Sequence, residues 1–434
     1  MSKQSPNSGS LRAAVATSWA LLLGFAVLMV GDGLQTTLLA IRAFQEGFST
    51  TVTGIVMSSF YAGFLGGSLL TPRIVSRVGH TRVFAALAAL ASATILVHAV
   101  FVTAAAWMAL RLASGFCFAG LYVVAESWLN DRASNESRGQ VLSIYMVISY
   151  VAVGAGQLLL NVADPLGYPL FVLTSVLISI AVVPLLLSAT PAPSFEQSQS
   201  LRLRELYHMS PTGVAGMFGV GLAMAIVFAL GPVYAARLGW DTAWISLFMA
   251  APVLATVVVQ WPIGHWSDRR DRRHVLIVVT FVAAIAAFAC IPLMHGTHWA
   301  LIGAFGVFGG FCLPMYSLCI AHTNDHLAPE HMVAASGGLM LAGGVGAILG
   351  PLIASSLMDG LSDNAFFGTL GTVHATIGAF AIYRTFKRPS IPLARQRHHA
   401  PSVLRPSSQI LESIQTQFRD DYSIADPGSN PPSK

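Results

Sequence analysis

The chain has 434 residues, of which 54% are apolar and only 10% charged, and its formal net charge is +5. Soluble domains carry about 25% charged residues, so this composition excludes a string of soluble domains and points to a chain dissolved in lipid. Its Lys and Arg sit in short turns between apolar runs and form no separate basic domain, which excludes a nucleic-acid partner.

Twelve nearly uncharged runs follow in chain order, each near the ~20 residues that cross a bilayer: 16–41, 51–72, 80–102, 104–126, 138–162, 168–188, 211–236, 242–263, 274–294, 298–320, 333–357 and 364–385. Runs this numerous are not a cleaved leader. The expected fold is an all-α membrane protein with twelve transmembrane helices in two pseudo-symmetric six-helix bundles. Residues 1–15 form an N-terminal segment, 16–188 the first bundle and 211–388 the second. Between them, 189–210 is rich in Pro, Ser, Gln and Arg and reads as a linker. Residues 389–434 hold Pro, Ser, Gln, His and scattered charge, and read as a disordered tail.

The arginines give the orientation. Arg73, Arg77, Arg82, Arg138, Arg202, Arg204, Arg269, Arg272, Arg273 and Arg384 fall on one side, whereas only Arg42 and Arg237 fall in loops on the other. The positive-inside bias predicts that both termini and the linker are cytoplasmic. Loops within each half are short, so function must lie inside the bundle. The four cysteines, Cys117, Cys290, Cys312 and Cys319, all lie in apolar spans and offer no disulfide framework or zinc spacing. The three lysines stand at 3, 387 and 434, so no phosphate-cradling Gly-Lys loop exists. The expectation is therefore no cofactor, no metal and no enzyme.

The two halves repeat. Pro72-Arg73-Ile-Val-Ser76-Arg77-Val-Gly79-His-Thr-Arg82 aligns with Gly264-His-Trp-Ser-Asp268-Arg269-Arg-Asp271-Arg272-Arg273 at an offset of 192, and Tyr122 and Asn130-Asp131 align with Tyr316 and Asn324-Asp325 at 194. Duplicated membrane halves are the build of many secondary transporters.

These turns resemble the signature loop of the major facilitator superfamily, Gly-x-x-x-Asp-Arg-x-Gly-Arg-Arg, over about residues 16–388. Gly264, Asp268, Arg269, Arg272 and Arg273 match it, with Asp271 where Gly is usual; Arg77, Gly79 and Arg82 match in the first half, with Pro72 and Ser76 replacing Gly and Asp. Gly120-Leu-Tyr-Val-Val-Ala-Glu126-Ser-Trp-Leu-Asn130 with Arg138-Gly139, and Asn324-Asp325-His326-Leu327, look like the YcaD-type bacterial branch. The resemblance implies alternating access, with the arginine turns acting as a cytoplasmic gate. Arg77, Gly79, Arg82, Glu126, Arg138, Asp268, Arg269 and Arg272 are the expected gate residues. Antiporters of the family often carry Gly-Pro on the fifth helix; here that position reads Gly156-Gln157, and Gly350-Pro351 stands on the eleventh.

Asp32, Arg111, Glu126 and His374 lie well within spans, where a charge costs roughly 2.5–3.5 kcal/mol or more. From the expected span ends, Asp32 and Arg111 both lie about 10–14 Å below the outer surface. They are the expected proton-coupling pair: Arg111 holds Asp32 ionised until substrate or a conformational change draws it away. Arg111-x-x-x-Gly115 also resembles the fourth-helix arginine motif of proton-coupled members. Arg111, Gly115, Phe118, Tyr122 and Glu126 share one helical face. Gln35, Thr36, Phe118, Tyr122, Gln157 and Tyr316 are the expected substrate-cavity residues. The glycines Gly343, Gly346 and Gly350 form a small-residue stripe suited to close helix approach.

The expected function is proton-coupled secondary active transport of a small organic solute, with a slight preference for efflux of neutral or cationic compounds. The alternatives are proton symport of a metabolite or organic anion, and a membrane receptor or assembly protein that does not transport. The expected setting is the bacterial cytoplasmic membrane, with lipid and a small-molecule substrate as partners and a monomer as the working unit.

Overall fold

The computed structural model describes residues 8–132, 138–187, 202–327 and 329–387; the expected tail and most of the linker lie outside them. In hydrocarbon each backbone polar group must be satisfied within its own segment, which leaves the helix as the economical spanning unit here. Fourteen helices result among the described residues: α1 Ser8–Gln45, α2 Thr50–Val78, α3 His80–Val100, α4 Ala104–Arg132, α5 Arg138–Leu158, α6 Pro169–Leu186, α7 Leu203–Met209, α8 Pro211–Arg237, α9 Thr242–Arg269, α10 Arg272–Leu293, α11 His298–Cys312, α12 Met315–Asn324, α13 Pro329–Gly360 and α14 Ala365–Thr385. They make twelve spans long and apolar enough to cross a membrane.

The two extra helices have simple origins. The tenth span, His298–Asn324, is interrupted at Leu313-Pro314, where proline has no N–H to continue the ladder. Short α7 occupies the end of the expected linker and leads through Ser210 into α8, which starts on Pro211. Several spans overrun their expected bounds: α1 continues to Gln45 instead of ending near 41, α2 to Val78 instead of 72, α4 to Arg132 instead of 126, α9 to Arg269 instead of 263, and α13 covers 329–360 instead of 333–357.

Within each half the helices meet where glycine removes the Cβ. On the α2–α4 crossing, a Cβ on Gly115 would overlap the Phe60 carbonyl, and one on Gly63 would overlap that of Leu112. The α9–α11 crossing repeats this with Gly309 against Pro252. On the α1–α5 crossing Gly156 faces the Val30 carbonyl and Gly33 that of Val153; on α8–α13 Gly350 faces the Leu222 carbonyl and Gly346 that of Phe218. Gly115 and Gly309 are 194 residues apart, as are Gly156 and Gly350, and their partners Phe60 and Pro252, Val30 and Leu222 are 192 apart. The offsets read from the sequence therefore recur as contacts.

The halves meet along α2 with α13 and α5 with α9. One end of the molecule, the arginine-rich end, carries Arg77, Arg82, Arg269 and Arg272; the opposite one is the far end. Near the far end Gly54 of α2 lies against Ser355 of α13, and Asn161, in the 3-10 turn Leu159–Val162, donates to Ser246 of α9 at 2.7 Å. These two contacts are again related by the repeat, since Ser246 follows Gly54 by 192 and Ser355 follows Asn161 by 194.

Gly115→Leu should separate α4 from α2. Overpacking costs about 1–3 kcal/mol or more, so the purified variant should melt at a clearly lower temperature by size-exclusion fluorescence. Leu112→Ala, at an exposed position facing outward from the bundle, should leave the melting temperature near that of the parent.

Candidate functional site

The first bundle holds its charges on α1 and α4. Asp32 is 1% exposed and Arg111 2%. The guanidinium of Arg111 lies over the Phe60 ring, 4.2 Å from its centroid, a cation–π contact worth about 2 kcal/mol when desolvated. Because α1 runs on to Gln45, Asp32 stands roughly 20 Å from the far end of its helix, whereas Arg111 stands roughly 10 Å from the far end of α4. The equal depth expected from the sequence is therefore not kept, and Asp32 is the deeper of the two. The α1–α4 register is set by Tyr122, whose hydroxyl donates to Met29 Sδ at 2.9 Å and whose ring meets Phe25 edge-on.

Gln35 and Gln157 lie at nearly the same height beside the α1–α5 glycine crossing. Both are fully buried, and neither amide makes a hydrogen bond among the described residues. Buried amides are normally satisfied, so these two, with the hydroxyls of Thr36 and Thr37 on the same helix as Gln35, have unused hydrogen-bonding capacity for a solute. Thr36 is buried beside them, and Phe118 packs 6.2 Å from Phe60.

Between the halves lies a cavity of about 80 Å³, walled by Tyr61, Phe64 and Leu65 of α2, Met224 and Phe228 of α8, Tyr316 of α12, and Met340 and Gly344 of α13. Of the expected cavity residues, Tyr316 lies on this wall; Gln35, Thr36, Phe118, Tyr122 and Gln157 lie in the interior of the first bundle instead. The α2 wall was missed, although 61, 64, 65 and 68 mark one helical face of the second span. The space is small beside the ~300–1,000 Å³ of a typical ligand pocket, so this conformation is close to shut.

Glu126 is 1% exposed and accepts a hydrogen bond from the Tyr145 hydroxyl at 2.9 Å. Tyr316, from the other half, lies within electrostatic reach of it. Glu126 is thus placed at the seam between the bundles, beneath the arginine-rich end.

The two arginine turns differ in build. In the second half Arg272 is 1% exposed: Nη1 donates to both oxygens of Asp325 at 2.7 Å, Nη2 reaches Asp268 at 3.3 Å, and Nε donates to Ser267 at 3.0 Å. Arg272 therefore ties α9, α10 and the end of α12 within one bundle. Asp271 explains the loss of the usual glycine: its φ is −56°, and its carboxylate caps α10 by accepting from the Arg273 N–H at 3.0 Å. Arg269 is exposed. In the first half the place of Arg272 is taken by His80, whose Nε2 is 3.0 Å from Ser127 Oγ and whose ring meets Trp128. Gly79 joins α2 to α3 at φ 94°, a conformation that favours glycine. Arg77 and Arg82 are exposed and form no ion pair among the described residues. Arg138 opens α5, and its side chain lies outside the described residues.

Sequence reasoning passed over a cluster at the far end. Arg237, at the end of α8, pairs with Asp359 of α13 at 3.0 Å and Asp363 at 2.6 Å, and donates to Thr50 of α2 at 2.6 Å. Asp359 also accepts from the N–H and the hydroxyl of Thr51 at 2.8 and 2.9 Å. Two residues of the second half, Arg237 and Asp359, thus grip the first turn of α2 across the seam, with Asp363 holding Arg237 in place. The signal was present: Arg42 and Arg237 are the two far-side arginines, 195 residues apart. Arg42 stays within its own half, bound to Glu46 at 2.7 Å and to the carbonyls of Pro165 and Leu166.

Twelve apolar helices in two repeated halves, a cavity at their seam and a cross-bundle clasp at one end define a membrane transporter and not an enzyme. The chain belongs to the Major Facilitator Superfamily, whose family model matches residues 21–259 and again 214–420, and it is a secondary transporter. It is 28% identical over 376 residues to the MFS-type transporter YcaD of Escherichia fergusonii, covering 86% of this chain and 97% of that one. To YcaD of an Escherichia coli strain it is 29% identical over 356 residues, covering 81% and 92%. Among solved structures it resembles the nucleoside transporter NupG (TM-score 0.67, 17% identity, 86% and 98% covered) and the Escherichia coli fucose:proton symporter FucP (TM-score 0.56, 15% identity, 86% and 99% covered).

Arg272→Ala removes the bidentate partner of buried Asp325. A loss of about 3–5 kcal/mol is expected, read as a large fall in thermal stability of the purified protein. Arg269→Ala, on the exposed side of the same turn, should change stability by no more than about 0.5 kcal/mol.

Proposed function

We propose that this transporter couples solute movement to protons through Asp32 and Arg111. The observation that carries the reading is the burial of Asp32 and Arg111 in the first bundle at positions whose repeat counterparts, Met224 and Phe305, carry no charge. At the offset of 194, Arg111 corresponds to Phe305, which stacks on Phe248 at 4.2 Å. A charge with no counterpart in the repeat is not needed to fold a six-helix bundle, so its cost is explained best by function. Asp32 is the proton carrier in this reading, and Arg111 is the buried opposite charge on the neighbouring helix α4. Movement of α4 against α1 changes the distance between the two charges and lets Asp32 take or release a proton.

The arginine-rich end is assigned to the cytoplasm by the positive-inside bias, in a bacterial inner membrane, with both termini on that side. Alternating access then opens and closes the far-end clasp in turn with the cytoplasmic side, where Glu126, Tyr145 and Tyr316 meet at the seam. The apolar, aromatic wall given by Tyr61, Phe64, Met224, Phe228 and Met340 supports amphipathic neutral or cationic compounds as substrates, and hence efflux by proton antiport. A second reading, proton symport of a small polar metabolite, is favoured by the unused amides of Gln35 and Gln157 and by the fold shared with NupG and FucP. No cofactor enters either reading, and the monomer contains the whole path.

Purified protein in liposomes with an imposed pH gradient should move protons when a transported compound is added. Asp32→Asn should abolish that movement while leaving the protein folded; uphill transport by the variant at the parent rate would sink the coupling assignment. The direction of the proton flux separates antiport from symport. For the clasp, Arg237→Ala should raise labelling of a Ser58→Cys reporter by a membrane-impermeant thiol reagent applied from the far side. Equal labelling with and without Arg237 would show that the clasp does not hold that side shut.

A further inference from the structure

At the arginine-rich end of the second half, α8 begins in a buried and uncapped first turn. Ser210, Pro211, Thr212 and Gly213 are all buried, and no side chain caps the helix. The first N–H groups of a helix have no intrahelical acceptor, and here those of Thr212 and Gly213 find none among the described residues. A long helix presents partial positive charge at this end. The small cavity against this turn is lined by Ser210, Thr212, Arg273, His322, His326 and Arg384.

A second observation is independent of the helix end. His322 is 3% exposed, lines the cavity, and its imidazole makes no hydrogen bond among the described residues; its ring meets that of His326 at 4.6 Å. The nearby carboxylates are otherwise engaged. Asp325 and Asp268 bind Arg272, and Asp271 caps α10. Arg273 approaches His326 at 3.3 Å, and Arg384 forms no ion pair among the described residues. The lining thus offers donors and positive charge without an acidic side chain.

A third observation says what the donors face. A separate apolar groove of about 550 Å³ runs down α8 from Val214 through Phe218 to Leu222 and along α14 from Val373 through Ile377 to Phe380. Its α8 wall starts two residues beyond Thr212, and its α14 wall stops one turn short of Arg384. Phe380 and Arg384 are i and i+4 on one face of α14. A polar, cationic mouth thus stands at the end of an apolar trough.

We infer that this corner binds a membrane phospholipid, with the phosphate at the α8 N-terminus between His322, Arg273 and Arg384, and an acyl chain in the groove. A phosphate oxygen suits uncapped helix N–H groups, and basic pockets between helix ends are suited to lipid headgroups. The inference concerns a lipid of the surrounding membrane and is independent of which solute is carried.

The test is native mass spectrometry of the full-length protein given phosphatidylglycerol, diacylglycerol of the same acyl chains, or inorganic phosphate alone. The parent should retain phosphatidylglycerol in preference to diacylglycerol. Arg384→Gln and His322→Gln should each weaken that retention about tenfold or more, as expected for a lost charge-assisted hydrogen bond, and Arg384→Lys should keep most of it. Equal retention of the two lipids, or unchanged retention in both Gln variants, would overturn the site. Binding of inorganic phosphate that depends on Arg384, with no lipid preference, would overturn the lipid assignment in favour of a soluble anion. If His322→Gln fails to fold, Arg384→Gln at the half-buried rim decides alone.

Discussion

Helices in lipid gain little from burying apolar side chains against one another, because the solvent is as apolar as they are. Close backbone approach has to supply the attraction, and in this chain it is concentrated at a few glycines. Gly115 on Phe60, Gly309 on Pro252, Gly156 on Val30 and Gly350 on Leu222 set the depth and angle at which four helix pairs cross. Everything else hangs from those crossings: the height of Gln35 beside Gln157, the position of Arg111 over Phe60, and the seam on which Tyr316 meets Glu126.

The same constraint explains how the halves have diverged. Where backbone touches backbone, the residue types are held by geometry. Where side chains meet, they are not. Four residues from Gly115 stands Arg111, and four residues from Gly309 stands Phe305; one bundle has a guanidinium over an aromatic ring and the other an aromatic stack. The arginine turns follow the same rule. His80 and Arg272 occupy equivalent places and reach equivalent partners, Ser127 and Ala321, but one meets a serine hydroxyl and the other binds two carboxylates.

Much of this was legible in the sequence. The twelve spans, the two halves and the offsets of 192 and 194 depend on hydropathy and local motifs, and the burial of Asp32, Arg111 and Glu126 follows from their positions within apolar runs. What was not legible depends on contacts far apart in the chain or on helix ends. The four extra residues of α1 changed the relative depth of Asp32 and Arg111, since hydropathy fades before the helix stops at Gln45. Asp271 looked like a defect in a motif because a cap is recognised only once the turn's φ is known. Asp359 and Asp363 carried no local signal, because each is defined by an arginine more than a hundred residues away; Asp325 stood out in the repeated Asn-Asp, but its pairing with Arg272, 53 residues away, did not.

The far-end clasp also carries a schedule. Each glycine crossing joins helices of one half and can form soon after its own six spans have entered the membrane. Thr51, by contrast, bonds Asp359, 308 residues later, and Thr50 bonds Arg237, 187 residues later. During synthesis the Thr50 hydroxyl therefore waits for Arg237, and the N–H and hydroxyl of Thr51 wait for Asp359. Water at the membrane surface satisfies those groups in the interval, and the completed chain then displaces it. The far-side clasp can therefore close only after the second half has been made.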